Sequence, residues 1–218
     1  MKNAAEENAA EENAEDDASG TPGGLPGLPF RLEWLAEPGR WDFGGEVLTL
    51  VAPGETDLFT DPQGKPPVNN APALVFEPEG DFVFSAKVEV AFKASFDAGV
   101  LLIYQHADSW AKLCFEYEPQ GFPLVVSVVT KGTSDDCNSL FLDENTTYLR
   151  VARIGQAYAF HQSFDGADWH LIRVFALEPH TSTKVGLLVQ SPVGEGCSAE
   201  FYRFGFTAKT LPDIRSGE

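Results

Sequence analysis

Cysteine is scarce in this 218-residue chain, and its placement excludes most of its shared roles. Cys114, Cys137 and Cys197 form no Cys-x-x-Cys pair and stand beside no histidine cluster. That argues against a zinc site or a disulfide framework, and free thiols in a reducing, cytoplasmic setting are expected. The four histidines (His106, His161, His170 and His180) are scattered. No metal-ligand set or paired base emerges from them, and neither a metal nor a cofactor is expected. Positive charge is also short. Fifteen Lys and Arg against 33 Asp and Glu leave a formal charge of −18. No basic cluster reverses that sign locally, which argues against nucleic acid and anionic lipid as partners. The longest apolar runs, "AGVLLIY" and "LVVSVV", are strand length, far below a membrane span. No glycine-rich phosphate loop opens a helix. The amino terminus lacks the basic and apolar regions of a secretory signal.

Aromatic side chains are plentiful. Seventeen Phe and four Trp supply a hydrophobic core without a disulfide or metal staple. Residues 1–20 hold seven acidic residues and one Lys around a repeated "AAEEN". With no apolar face to dock, they read as a disordered acidic tail, followed by a flexible Gly/Pro linker to residue 29. The expected domain spans residues 30–210, with a short tail over 211–218.

Within 30–210 the hydrophobic period is two. "DFVFSAKVEVAF" (81–92) puts Phe82, Phe84, Ala86, Val88, Val90 and Phe92 on one face. Further strands are expected at 46–52, 55–59, 98–106, 110–118, 123–131, 147–154, 157–164, 169–175, 184–190 and 199–208. Turn residues separate them, and Asp165–Gly166 marks a hairpin. About a dozen short strands and no convincing helix imply two packed antiparallel sheets or a barrel, and a sandwich with one curved sheet fits better than an open barrel. The runs at 98–106 and 124–131 are apolar on both faces and should be central, with cover on both sides.

One strand stands out. "WAKLCFEYE" (110–118) places Ala111, Leu113, Phe115 and Tyr117 on a core face. Trp110, Lys112, Cys114, Glu116 and Glu118 share the other face, an unusual set for a merely solvated surface. Lys112 and Glu116 lie roughly 13 Å apart along the strand at ~3.3 Å per residue. Each is therefore expected to find other partners.

"ETDLF" (55–59), "NNAPAL" (69–74), "GDFVFSAKV" (80–88), "FDAGVLLIY" (96–104), "WAKLCFEYE", "SVVTKGTSD" (127–135), "LRVAR" (149–153) and "SFDGADWHLIR" (163–173) follow in that order. The series resembles a domain-of-unknown-function family in the concanavalin A-like lectin/glucanase superfamily. That family includes fungal proteins named for regulation of enolase. The resemblance implies an all-β jelly-roll sandwich with one concave sheet, the face that commonly receives glycans in this superfamily. It also implies a Trp-x-Lys-x-small-x-Glu strand at Trp110, Lys112, Cys114 and Glu116, a Thr-Asp at Thr56 and Asp57, and a Ser-Asp at Ser134 and Asp135 after Thr130. The chain departs from the pattern at Phe96–Asp97, where relatives carry Tyr-Asp-Gln, and at Asp136, where they carry an aromatic.

Sugar recognition needs an aromatic plate and a few fixed polar groups. Trp110 is the expected plate, and Lys112 and Glu116 are the expected polar groups. Asp57, Thr56, Asn70, Thr130, Ser134 and Asp135 are the expected loop contributors. A non-catalytic domain binding carbohydrate or a small polar ligand is the first expectation. Regulation through contact with a protein partner is the second, and a glycoside hydrolase using Glu116 with Glu118 or a loop carboxylate the third. Such hydrolysis needs two carboxylates facing each other across the bond. The superfamily's usual Glu-x-Asp-x-x-Glu strand is broken here at Pro119–Gly121. "SDDCNSLFLDEN" (134–145) lacks the spacing of a Ca²⁺ loop and reads as an acidic loop. "SFDGADW" is one residue short of a sialidase Asp box and reads as a turn packed by Trp169.

Overall fold

The computed structural model describes residues 22–218. Its strands are β1 (Glu33–Ala36), β2 (Arg40–Gly44), β3 (Val47–Pro53), β4 (Leu58–Phe59), β5 (Val68–Asn69), β6 (Ala73–Phe76), β7 (Phe82–Val90) and β8 (Ala98–His106). They continue as β9 (Ser109–Tyr117), β10 (Pro123–Lys131), β11 (Thr133–Phe141), β12 (Thr146–Ile154), β13 (Ala157–Ser163), β14 (His170–Ala176), β15 (Lys184–Gln190) and β16 (Gly196–Thr207). One seven-stranded sheet runs β1-β6-β15-β8-β9-β10-β11, and the other runs β14-β13-β12-β7-β16-β3-β2. β4 and β5 form a separate small pair. The fold is the expected all-β sandwich.

Alternation explains the layering. In β7 every second residue, from Phe82 to Val90, is buried against the opposite sheet. Ala111, Leu113 and Phe115 of β9 enter the same inter-sheet core. Gly99 of β8 sits at a close approach of the two sheets, because a Cβ there would stand 2.6 Å from Val88 Cγ1. The runs in β8 and β10 are buried on both faces, as expected. β8 is the middle strand of its sheet, whereas β10 is second from the edge.

The outer face of that sheet is covered by the excursion through β4 and β5. Leu58 and Ala71 pack there on Ala73, Val100, Leu102, Trp110, Cys114, Val126 and Leu188. A second apolar cluster therefore lies outside the first sheet.

Three boundaries differ from the sequence reading. The acidic repeat and its tail lie outside the described residues, but the linker from residue 22 onward is packed. Leu25 and Leu28 close a turn and bury their side chains in the main core. Residues 211–218 also pack down. Leu211 is buried, His161 Nε2 lies 2.9 Å from the Ile214 carbonyl, and Arg150 donates to the Gly217 carbonyl at 2.8 Å. The stretch read as an acidic loop over 134–145 is mostly the edge strand β11. Water reaches most of its side chains, so no apolar alternation marked it as a strand.

The Asp165–Gly166 signal does mark a hairpin, although its connection runs over residues 164–169. Asp165 Oδ1 accepts from the Ala167 and Asp168 amides there. Trp169 packs under the Arg150 guanidinium, 4.2 Å from its carbon.

Candidate functional site

Partners across an antiparallel ladder share a face, so register converts sequence positions into rows of side chains. On the outer face of the first sheet one row is Gln190, Ala98, Glu116 and Leu124. The next is Leu188, Val100, Cys114, Val126 and Asn138. A third is Leu102, Lys112, Val128 and Asp136, and a fourth is Tyr104, Trp110, Thr130 and Ser134. A cavity of about 500 Å³ opens over the first three rows. Lys112, Glu116, Asp136 and Gln190 line it from the sheet, Asp57 and Phe59 from the covering loop, and Phe96 and Glu118 from one end.

Lys112 organises the floor. It is 2% exposed, and its Nζ donates to Asp57 Oδ1 at 3.0 Å and to Gln190 Oε1 at 2.8 Å. An ammonium only donates, so this contact fixes which way the Gln190 amide points. Gln190 Nε2 then donates to the Phe96 carbonyl at 3.3 Å. On the other side, the Asp57 amide donates to Asn70 Oδ1 at 2.9 Å. One chain of hydrogen bonds thus runs from the covering loop through the sheet to Phe96.

Phe96 has φ of +69° and is 37% exposed. Asp97 holds this strained turn. Its Oδ2 accepts the Lys93 and Ala94 amides, and its Oδ1 accepts from Ser191 Oγ at 2.6 Å. A non-glycine residue held at positive φ costs energy that its surroundings must supply. Here those surroundings aim an aromatic ring at the cavity mouth. Phe59 is the second ring, with its centroid 5.9 Å from Lys112 Nζ.

The electrostatics separate the ionisable groups. Burial pushes the Glu116 carboxyl up to about 8; Lys112 opposes the rise, while Asp57 and Asp136 add to it. Burial by itself would lower the Lys112 ammonium, but the fields of Asp57, Cys114 and Glu116 override it and raise its pKa. Burial drives the Cys114 thiol far above its usual range, so it is inert packing beneath the cavity.

Of the expected site residues, Lys112, Glu116 and Asp57 converge in this cavity. Lys112 is not free, however, because Asp57 and Gln190 hold it. Trp110 does not serve as the expected plate. It is 1% exposed, its Nε1 donates to the Ala107 carbonyl, and its ring lies in the outer apolar cluster. Thr56 and Asn70 fasten the covering loop, to the Pro53 carbonyl and the Glu55 carbonyl respectively. Thr130 and Ser134 bond each other at 2.8 Å, and Ser134 Oγ accepts the Thr60 amide. None of these four lines the cavity: Thr56 and Asn70 hold the covering loop in shape, and Thr130 and Ser134 tie it to the sheet.

Asp135 falls on the opposite face of β11 and pairs with Arg173 at 3.3 Å. Its neighbour Asp136 faces the cavity. The difference is a period of two counted from Val128. Sequence reasoning missed Gln190, Phe96 and Phe59 as site residues. The polar Gln190 at the end of an apolar strand was the available signal. Among the described residues, no group of three or more His, Cys, Asp or Glu is arranged to hold a metal ion.

A family model described as "Protein of unknown function (DUF1349)" matches residues 34–209. No curated protein matches the chain. Among solved structures, a functionally unknown protein from Saccharomyces cerevisiae aligns with TM-score 0.76 and 21% identity over 83% of this chain and 97% of its own. The GH43 protein BlXynB from Bacillus licheniformis aligns with TM-score 0.66 and 20% identity, covering 82% of this chain and 37% of that one. The carbohydrate binding module CBM66 from Bacillus subtilis aligns with TM-score 0.51 and 14% identity, covering 79% and 94%. At these identities the likeness is one of fold.

Proposed function

The chain belongs to the DUF1349 family, and from its site we propose a carbohydrate-binding domain whose ligand enters the cavity over Lys112, Glu116 and Gln190. The carrying observation is the continuous hydrogen-bonded chain, Asn70–Asp57–Lys112–Gln190–Phe96, running from the covering loop across the floor of a cavity flanked by two phenyl rings. Fixed polar groups meet ring hydroxyls, and Phe96 and Phe59 meet the apolar face of a sugar. The shared fold with a carbohydrate binding module and a GH43 protein supports the ligand class by analogy only. Three free cysteines support action in a reducing, cytoplasmic compartment.

A glycan array with the wild type and Phe96→Ala tests the reading. Both side chains stand at the same φ, so the substitution removes the ring without asking for a new backbone. Binding by the wild type that the variant loses supports the reading. Equal binding by both moves the site elsewhere, and no binding by the wild type to any glycan contradicts the reading.

Hydrolysis is the second reading, favoured by one observation. Burial pushes the Glu116 carboxyl up to about 8, the direction a general acid needs, while Glu118 and Asp136 line the same cavity. Release of reducing sugar by the wild type, abolished in Glu116→Gln, would establish it. Binding without turnover would leave the domain non-catalytic.

A further inference from the structure

The cavity holds more negative charge than its own cations match. Asp57 is taken by Lys112, and Asp61 by Lys65 at 3.1 Å. Glu118 and Asp136 remain beside Glu116, whose carboxyl burial raises, and no described residue gives any of the three a side-chain hydrogen bond or an ion pair. Glu118 is the telling one. It is only 8% exposed, it lines the cavity, and its side chain has no partner. No protein donor competes for that carboxylate, so a cation entering the cavity meets an untaken acceptor. We propose that the site selects a sugar carrying a free, protonated amine, with Glu118, Glu116 and Asp136 receiving the ammonium and Phe59 and Phe96 flanking the ring.

This inference rests on the carbohydrate reading and names its ligand class. N-acetylation removes the charge and leaves Glu118 and Asp136 unmatched. A uronic or sulfated sugar adds repulsion. An ammonium also changes Glu116, which is faced by Asp57 from the covering loop, Asp136 from β11, and Lys112, Cys114 and Glu118 along or just beyond its own strand. A positive ligand favours the ionised carboxylate. Binding of an amino sugar near neutral pH therefore releases a proton from Glu116, whereas a neutral sugar gives no such release.

The test is isothermal titration calorimetry of the full chain at pH 7 in two buffers of different ionisation enthalpy. The probes are matched trimers of glucosamine and galactosamine, their N-acetylated forms, the corresponding neutral hexose trimers, and spermidine as a cation without a ring. The expected result is at least about tenfold tighter binding of one amine trimer than of its acetylated and neutral counterparts, the equivalent of about one charge-assisted hydrogen bond. Proton release should accompany only the amine trimer. In Glu118→Gln, checked for folding by its thermal transition, the ratio of amine to neutral affinity should fall severalfold.

Neutral or acetylated trimers binding as tightly as the amines would overturn the inference and leave the carbohydrate reading standing. Preference for spermidine would overturn the sugar ring as the recognised frame. Failure of every glycan to bind would remove the carbohydrate reading itself, and this inference with it.

Discussion

Lys112 Nζ lies 3.0 Å from Asp57 Oδ1, joining the middle of a central strand to a loop 55 residues earlier. The lysine is almost wholly buried, while the aspartate keeps some contact with solvent. This pair is one of the ties that seat the covering loop over the cavity, beside the Ser134–Thr60 bond and the packing of Leu58.

Asp57→Ala leaves that ammonium buried without its carboxylate. Breaking one side of such a pair costs about 3–5 kcal/mol. The double variant Lys112→Met/Asp57→Ala replaces both charges with apolar groups and should recover much of the loss. Urea unfolding of the two single variants and the double reads the coupling directly. A double variant no more stable than Asp57→Ala would contradict it.

Trp110 is a packing residue here. Trp110→Ala should lose about 3–5 kcal/mol, the range for truncating a buried aromatic. Trp110→Phe should lose distinctly less and keep ligand binding. Unfolding curves and a binding titration of the Phe variant check this. A stable Phe variant that no longer binds would restore the indole to the site.

Much of this was legible in the sequence, and the reason is the period of two. Alternation in residues 110–118 assigned Lys112 and Glu116 to one face and Leu113 and Phe115 to the core, as observed. Alternation does not say what covers a face. Trp110 looks the same in sequence whether it meets a sugar or Leu58 and Ala71, and only the path of the β4–β5 excursion decides. The edge strand β11 was illegible for a related reason. With water on most of its length it has no apolar rhythm to show which acidic residue faces the sheet's outer side, and the Ser-Asp pair of the family resemblance points to Asp135 instead of Asp136. Gln190 and Phe96 join the site through a hydrogen bond between residues 94 apart, which no local pattern encodes.

Glu116 makes a pH prediction. Its folded pKa, about 8, lies above the ordinary glutamate value of 4.5, so the folded state binds more protons than the unfolded one between these limits. Its contribution to stability is therefore present at low pH and lost as pH rises from about 4.5 through 8. Glu116→Gln should match the wild type near pH 5 and exceed it at pH 9, compared by urea midpoint. An advantage that is the same at both pH values would contradict the assigned ionisation.

His161 has the opposite sign. Burial, the largest cause, brings its pKa down to about 4 from 6.5, with Arg150 adding to the fall and the bond to Ile214 opposing it. The neutral ring's contribution is present above pH 6.5 and lost as pH falls toward 4. His161→Gln should therefore show a shallower loss of stability across that window than the wild type. Parallel curves would show that the ring is not titrating there.

The most direct measurement of the central claim is amide and side-chain NMR shift mapping, using the tightest-binding glycan from the array. The largest shifts should gather at the Phe96 amide, the Gln190 side-chain amide and residues 112–118, with the outer face of the second sheet unmoved. Shifts concentrated on that second sheet, around Tyr148, Arg150 and Trp169, would contradict the claim.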